Sequence, residues 1–125
     1  MRIVILSAAL LAGCASLSTE TKIEEGVWQT LNVVDAVETY RGPVQQPSCF
    51  HEQGTYGILP THPTAAQLSG WTVGFGAVHF GVTALLEEHH ANPWVTRLWE
   101  MVTITNTGII VSNNARTLAH PVCTK

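Results

Sequence analysis

The chain has 125 residues, of which 46% are hydrophobic and 12% charged, so its composition suits one small folded domain and excludes a disordered segment. Six Lys and Arg residues against nine Asp and Glu residues give a formal net charge of -3. Because the basic residues are scattered singly along the chain, they form no electrostatic footprint for a phosphate backbone, and we expect no nucleic-acid partner.

The N-terminus has the pattern of an export signal. Residues 1–2 provide a minimal positive start, residues 3–10 form an apolar segment too short to span a bilayer, and the segment LAGC follows and ends at Cys14. This segment resembles a bacterial lipobox. The resemblance implies cleavage before Cys14 and lipidation of its sulfur, and the small residues after Cys14 imply sorting to the outer membrane on its periplasmic side. A plain export signal is the alternative.

A lipidated Cys14 defines the predicted organisation of the chain. Residues 1–13 form the signal peptide, residues 14–24 the lipidated cysteine with its tether, and residues 25–125 a helical domain. The lipobox resemblance implies a diacylglyceryl group on the sulfur and an acyl group on the new amino terminus, which together are three acyl chains. Because each buried methylene contributes about 0.8 kcal/mol, three acyl chains make the attachment effectively permanent. The covalent lipid is the only cofactor that we expect, and the membrane is the partner reached through it.

The two other cysteines, Cys49 and Cys123, then lie in an oxidising compartment. Disulfides persist there, so we predict a disulfide between Cys49 and Cys123. Two free thiols are the alternative.

Hydrophobic periodicity predicts three helices. The first covers residues 25–40, the second covers residues 65–88 with Thr64 as its N-cap, and the third runs from residue 93 to about residue 111. Prolines and glycines without a sustained period make residues 42–63 a long first loop. The prediction is therefore a small all-α, up-down-up three-helix bundle, tethered by a lipid at its N-terminus.

The second predicted helix carries two stripes, one of large apolar residues and one of small residues, which is typical of a helix with neighbours on two sides. We interpret it as the buried middle helix of the bundle, because a stop-transfer helix would hold an outer-membrane protein at the inner membrane. A small integral membrane protein with a helical hairpin is the alternative. The large stripe is Leu68, Trp71, Phe75, Val78, Val82 and Leu85, and the small stripe is Gly70, Gly74, Ala77, Gly81 and Ala84.

The polar residue of interest in this helix is His79. Counting the helical rise places it near the level of Asp35 on the first helix and of Thr103 on the third, with Glu100 lower on the same face. A carboxylate beside an imidazole can build a general base or a metal ligand. We favour a structural role, since the sequence names no nucleophile, but His79, Asp35 and Glu100 are the candidate catalytic residues.

The familiar motifs of metal and catalytic sites are incomplete. The segment HEQGT begins like a zincin motif at His51 but has Thr55 where the second histidine is required. His89 and His90 are adjacent and face different sides of a helix, so they chelate one ion poorly. We therefore expect neither a metal site nor enzymatic activity, although six histidines leave metal binding open.

A dispersed pattern covers most of the chain after Cys14. It resembles small uncharacterised bacterial and phage lipoproteins, and the resemblance implies no activity. We predict a lipid-anchored envelope protein that acts by interaction, in a structural or surface-shielding role, encoded by a bacterium or a phage, with an envelope protein as its partner. A metal-binding protein or hydrolase centred on Asp35, His79 and Glu100 is the alternative. The pattern is Trp28-Gln29-Thr30-Leu31, Val34-Asp35, Thr39, Cys49, Glu52, Trp71, His79, Val82-Thr83, Trp99 and Thr103-Ile104.

Overall fold

The computed structural model describes residues 17–50, 58–89 and 92–123. The predictions for the signal peptide, for the lipidation of Cys14 and for the segment that begins at His51 lie outside these residues. The described residues contain three long helices and no strand, which confirms the predicted all-α bundle.

The first helix, α1, covers Thr19–Thr39 and continues as a π-helical turn over Tyr40–Val44. It begins before the predicted start at residue 25, because the Ser18 hydroxyl caps it by accepting a hydrogen bond from the Thr21 backbone N–H at 3.2 Å. The wider turn at its end accommodates Pro43, so helical structure continues past the predicted end at residue 40.

The second helix, α2, covers Ala65–Glu88, as predicted, and its N-terminus is closed by a capping box between Thr64 and Gln67. No helix in the described part of the chain combines the length and the apolar character needed to cross a membrane. The third helix, α3, covers Pro93–Ala119 and is longer than predicted. Asn114 continues the helix instead of ending it, because its side chain donates a hydrogen bond to Asp35 of α1 at 2.7 Å.

The three helices run up, down and up. At the lower end, the Ser18 backbone N–H donates to the Glu87 carboxylate at 2.6 Å. Higher in the bundle, the Asn32 side chain donates to the Thr72 carbonyl at 3.1 Å, so α1 and α2 are antiparallel. Since Asp35 and Asn114 join the upper halves of α1 and α3, those two helices are parallel.

The Cys49 and Cys123 sulfur atoms lie at bonding distance, as the predicted disulfide requires. The bond ties the start of the first loop to the tail after α3, at the upper end of the bundle. Close packing continues beside it at Gly42, where an added Cβ would lie 3.2 Å from both Leu118 and Phe50. The disulfide thus fixes the end of the bundle that lies away from Ser18.

Replacing both Cys49 and Cys123 with serine is expected to lower the free energy of unfolding by up to about 4 kcal/mol. The bond closes a loop with a sequence separation of 74 residues, and such a loop constrains the unfolded chain strongly. Urea unfolding followed by circular dichroism measures the loss. Equal unfolding midpoints for the oxidised protein and the double variant would contradict the predicted contribution.

Among the described residues, the interior of the bundle is largely polar, and of the large apolar stripe of α2 only Leu68 is buried. Phe75, Val78 and Leu85 of the large apolar stripe are 42%, 61% and 55% exposed. An added Cβ at Gly70 or Gly74 of the small stripe would meet no atom within 4 Å. The buried polar residues are Thr21, Glu25, Asn32, Thr39, His79, Thr83, Thr96 and Glu100, and the buried apolar residues are Leu17, Trp28, Phe50, Leu59 and Leu68.

Four of these residues, Glu25, His79, Thr83 and Glu100, face inward and form hydrogen bonds with one another across the helices. Each buried polar group needs a partner, since leaving one without a hydrogen bond costs about 1–3 kcal/mol. The helix faces that carry these groups therefore meet at the centre of the bundle. As a result, the apolar stripes lie on the outside.

Candidate functional site

Each helix contributes one ionisable side chain to a cluster at the centre of the bundle. Glu25 comes from α1, His79 from α2 and Glu100 from α3, and these residues are 5%, 2% and 0% exposed. One ligand atom from each residue can be chosen so that all three lie within 4.8 Å of one another. We call these three residues the Glu-His-Glu cluster.

His79 is held at both ring nitrogens and on its ring faces. Its Nδ1 lies 2.9 Å from Glu25 Oε2, and its Nε2 lies 2.9 Å from the hydroxyl oxygen of Thr103. The ring stacks on Trp28, with centroids 3.6 Å apart and planes inclined by 4°, and on Trp99, with centroids 5.0 Å apart. These contacts fix the orientation of the imidazole.

The two carboxylates of the cluster meet at the hydroxyl group of Thr83. Its oxygen lies 3.0 Å from Glu25 Oε2 and 2.6 Å from Glu100 Oε1. The indole N–H of Trp99 donates to the same oxygen at 3.1 Å. Because a hydroxyl group carries one proton, Thr83 donates to only one of the two carboxylates at a time.

The Glu25 carboxylate is stabilised in its charged form. Burial raises its pKa, but hydrogen bonds from His79, Gln29 and Thr83, together with the charge of His79, lower the pKa below the ordinary value for a glutamate. The Gln29 side chain donates to Glu25 Oε1 at 2.6 Å and also to the Gly76 carbonyl at 3.0 Å. Glu25 is therefore the anionic centre of the cluster.

Glu100 has the opposite electrostatic character. Burial raises its pKa above the ordinary value, and the hydrogen bond from Thr83 opposes this rise only in part. Its second carboxylate oxygen, Oε2, is buried and has no hydrogen-bond partner among the described residues. The cluster thus contains one well-satisfied carboxylate and one with a free acceptor.

The close approach of α1 and α2 beside the cluster depends on Gly76. An added Cβ at this position would lie 2.9 Å from the Gln29 amide oxygen and 3.4 Å from the Asn32 amide nitrogen. The absence of a side chain leaves room for Gln29, which in turn holds Glu25. Gly76 therefore positions the cluster through Gln29.

A cavity of about 500 Å³ lies at the lower end of the bundle. Two of its lining residues, Thr21 and Thr96, precede Glu25 and Glu100 by one helical turn and are buried. The other lining residues include three carboxylates and one cation, and the cation Arg97 pairs with the exposed Glu20. The cavity therefore lies about one helical turn below the cluster, and most of the ionisable side chains that line it are carboxylates.

The structure brings together some of the residues proposed from the sequence. His79, Thr103 and Glu100 lie in one network, but the expected contact between His79 and Asp35 is wrong. Both ring nitrogens of His79 are engaged by other residues, and Asp35 accepts a hydrogen bond from Asn114. Asp35 therefore contributes to the joint between α1 and α3, higher in the bundle.

The sequence did not identify Glu25 as a cluster residue, because the predicted first helix begins at Glu25 and its N-terminus was not expected to reach the interior. A signal for it exists in the spacing of Thr21, Glu25, Trp28 and Asn32, which recur at steps of four, three and four residues. This spacing defines the face of α1 that the structure buries.

Comparison with known proteins gives no relative for this arrangement. No protein-family model, no curated protein and no solved structure matches the chain.

Proposed function

We propose that the protein is a lipid-anchored envelope protein that acts by lateral association with further copies of itself, in a structural or surface-shielding role. The observation that carries this proposal is the apolar outer surface of the helices. The lipid anchor itself rests on the resemblance of the segment ending at Cys14 to a lipobox.

The outer surface carries large apolar side chains on all three helices. Side chains of this size are costly to leave in water over a continuous face, and such faces mark interaction sites. Those on α2 and α3 that are at least 40% exposed are Val73, Phe75, Val78, Leu85, Trp94, Val95, Leu98, Met101, Val102, Ile109 and Ile110.

A second copy of the chain suits the outer face of α2. Between residues 65 and 86 the only ionisable residue is His79, and it is buried, so two such faces meet without like-charge repulsion. Gly70, Gly74 and Gly81 have open space around them, which lets another helix approach closely. Both features are therefore compatible with the packing of two copies of α2 against each other.

The size of the available surface also fits a dimer. α2 has 24 residues, so at 1.5 Å per residue its outer face is about 36 Å long. A face two helices wide, at about 10 Å per helix, covers roughly 700 Å², close to the roughly 800 Å² that each partner buries in a stable interface. An anchor at Cys14, a few residues before Thr19, would confine the copies to one plane and raise their effective concentration.

Photocrosslinking in membranes tests this association. The full-length protein carries a photoreactive amino acid at Val78, on the outer face of α2, or at Ile58, which is 64% exposed but belongs to the first loop. We expect a crosslinked species of twice the monomer mass from Val78 and little from Ile58. Crosslinks from Val78 to lipid or to a different protein, without the dimer, would contradict self-association.

A pair of glycine substitutions provides a matched control. An added Cβ meets no atom within 4 Å at Gly74 on α2 or at Gly26 on α1. Gly74→Leu places bulk on the proposed interface and is expected to remove most of the crosslinked dimer, whereas Gly26→Leu is expected to retain it. Equal dimer yields in both variants would exclude the α2 face as the interface.

A further inference from the structure

We propose that Glu25, His79 and Glu100 form a binding site for one divalent transition-metal ion of the zinc type. This inference is independent of the proposed self-association, because it concerns the interior of the bundle and not its outer faces.

The donor atoms are already close to the arrangement that such an ion requires. Zinc binds histidine nitrogen and carboxylate oxygen at about 2.0–2.2 Å, so its tetrahedral ligand atoms lie roughly 3.3 Å apart. One ligand atom of each residue can be chosen so that the three lie within 4.8 Å of one another, and His79 Nδ1 lies 2.9 Å from Glu25 Oε2. The most distant pair therefore has to approach by no more than about 1.5 Å to reach the spacing of zinc ligands.

Thr103 selects the nitrogen of His79 that faces the ion. Its hydroxyl group lies 2.9 Å from the Trp99 carbonyl, one turn earlier on the same helix, and donates to it. The same hydroxyl oxygen then accepts from His79 Nε2–H at 2.9 Å. When Nδ1 carries no proton, this leaves its lone pair directed at the Glu25 carboxylate, to which Nδ1–H otherwise donates. Such a partner on the other ring nitrogen is how proteins orient a metal-ligating histidine.

The charges of the cluster balance with a divalent cation. A lone pair on His79 Nδ1 facing the Glu25 carboxylate at 2.9 Å needs a positive charge between them, which is either a proton or a metal ion. Two glutamates carry two negative charges when both are ionised, and burial of uncompensated charge is costly. One divalent ion with a neutral imidazole makes the buried group neutral.

An independent observation at Glu100 also indicates a ligand. Its Oε2 atom is fully buried and has no hydrogen-bond partner among the described residues. A buried acceptor without a partner costs free energy, and coordination to a metal ion would satisfy it. The acidic cavity is lined by Thr21 and Thr96, one turn below the cluster, and its carboxylates attract cations to this end of the bundle.

The donor set favours zinc-type ions over the hard cations. Calcium and magnesium prefer shells made of oxygen ligands alone, whereas an imidazole nitrogen suits zinc and its neighbours in the transition series. Zn²⁺ is accordingly the probe of choice. Calcium serves as the counter-probe, and it is expected to bind the cluster far more weakly.

Calorimetric titration of Zn²⁺ into the full-length protein in detergent, after treatment with a chelator, tests the site. We expect one equivalent to bind and the melting temperature to rise. Glu100→Gln keeps the shape of the side chain and its acceptor for Thr83, and we expect it to weaken binding at least tenfold, with the loss of the thermal shift. Glu25→Gln gives a second reading if the first variant folds poorly.

The matched control is Glu38→Gln, because Glu38 also has a buried carboxylate oxygen without a hydrogen-bond partner but lies outside the cluster. It is expected to bind Zn²⁺ like the unaltered protein. The absence of a bound equivalent in the unaltered protein would overturn the inference. Equal Zn²⁺ affinity in the unaltered protein and in Glu100→Gln would overturn it too, because the ion would then bind at surface histidines.

Discussion

Replacing Glu25 with alanine is expected to lower the free energy of unfolding by about 3–5 kcal/mol, the usual cost of breaking a buried ion pair. The substitution removes the carboxylate that accepts from His79, Thr83 and Gln29, and it leaves the buried His79 Nδ1 without its partner. Thr83 keeps Glu100 as an acceptor, and Gln29 keeps the Gly76 carbonyl. Urea unfolding at neutral pH, followed by circular dichroism and tryptophan fluorescence, measures the change.

The neighbouring glutamate provides the control. Glu24 lines the lower cavity and is only partly buried, so Glu24→Ala is expected to change the free energy of unfolding by less than about 1 kcal/mol. Similar losses for Glu24→Ala and Glu25→Ala would show that Glu25 does not hold the centre of the bundle.

Replacing Trp28 with alanine is expected to cost about 3–5 kcal/mol. Trp28 is 1% exposed, stacks on His79, and packs edge-on against Phe75 with ring centroids 5.4 Å apart. Few apolar side chains are buried in the described part of the bundle, so the loss of this one leaves a large cavity. The same unfolding measurement reports the effect.

Val27 tests the orientation of α1 directly, because it is adjacent to Trp28 in sequence and 45% exposed. Val27→Ala is expected to change the free energy of unfolding by no more than about 0.5 kcal/mol. A loss for Val27→Ala as large as that for Trp28→Ala would indicate that Val27 faces the interior of the bundle.

Much of the architecture was predictable from local signals. The bounds of α2 follow from Thr64 as N-cap, and the pairing of Cys49 with Cys123 agrees with an up-down-up order of helices. Local signals failed where tertiary contacts decide. Asn114 was expected to lie beyond the end of the third helix, but its hydrogen bond to Asp35 holds it inside α3.

The orientation of the helix faces was not predictable from periodicity. The pattern of α2 contains a large apolar stripe, a small-residue stripe and a polar face with His79 and Thr83, but it does not say which of the three faces the neighbouring helices. The polar face turns inward because α1 and α3 present complementary acceptors, Glu25 and Glu100. That match becomes visible only when the sequences of the three helices are placed side by side in the correct register.

The misplaced partner of His79 shows the effect of register. Counting helical rise from the lower turn selected Asp35, whereas the structure selects Glu25, which lies closer to the lower end of α1. The first helix starts at Thr19, so its lower turns, taken from the sequence as a tether, lie inside the bundle. The start of a helix thus decided which carboxylate reached the histidine.

A polar interior and an apolar exterior are two consequences of one arrangement. The Glu-His-Glu cluster draws the polar faces of the helices together, and this leaves Val78, Leu98 and similar residues on the surface. The contact of Glu25 with His79 is therefore central to the proposed metal site, whereas the proposed self-association rests on the outer faces of the helices.

A double-mutant cycle between Glu25 and His79 tests that contact most directly. Glu25→Gln, His79→Gln and the double variant are compared by urea unfolding, together with the equivalent cycle for Asp35→Asn and His79→Gln. We predict a coupling free energy of at least about 1 kcal/mol for Glu25 with His79, and additivity within about 0.5 kcal/mol for Asp35 with His79. Additive losses for Glu25 and His79, with coupling between Asp35 and His79 instead, would contradict the central role of the cluster.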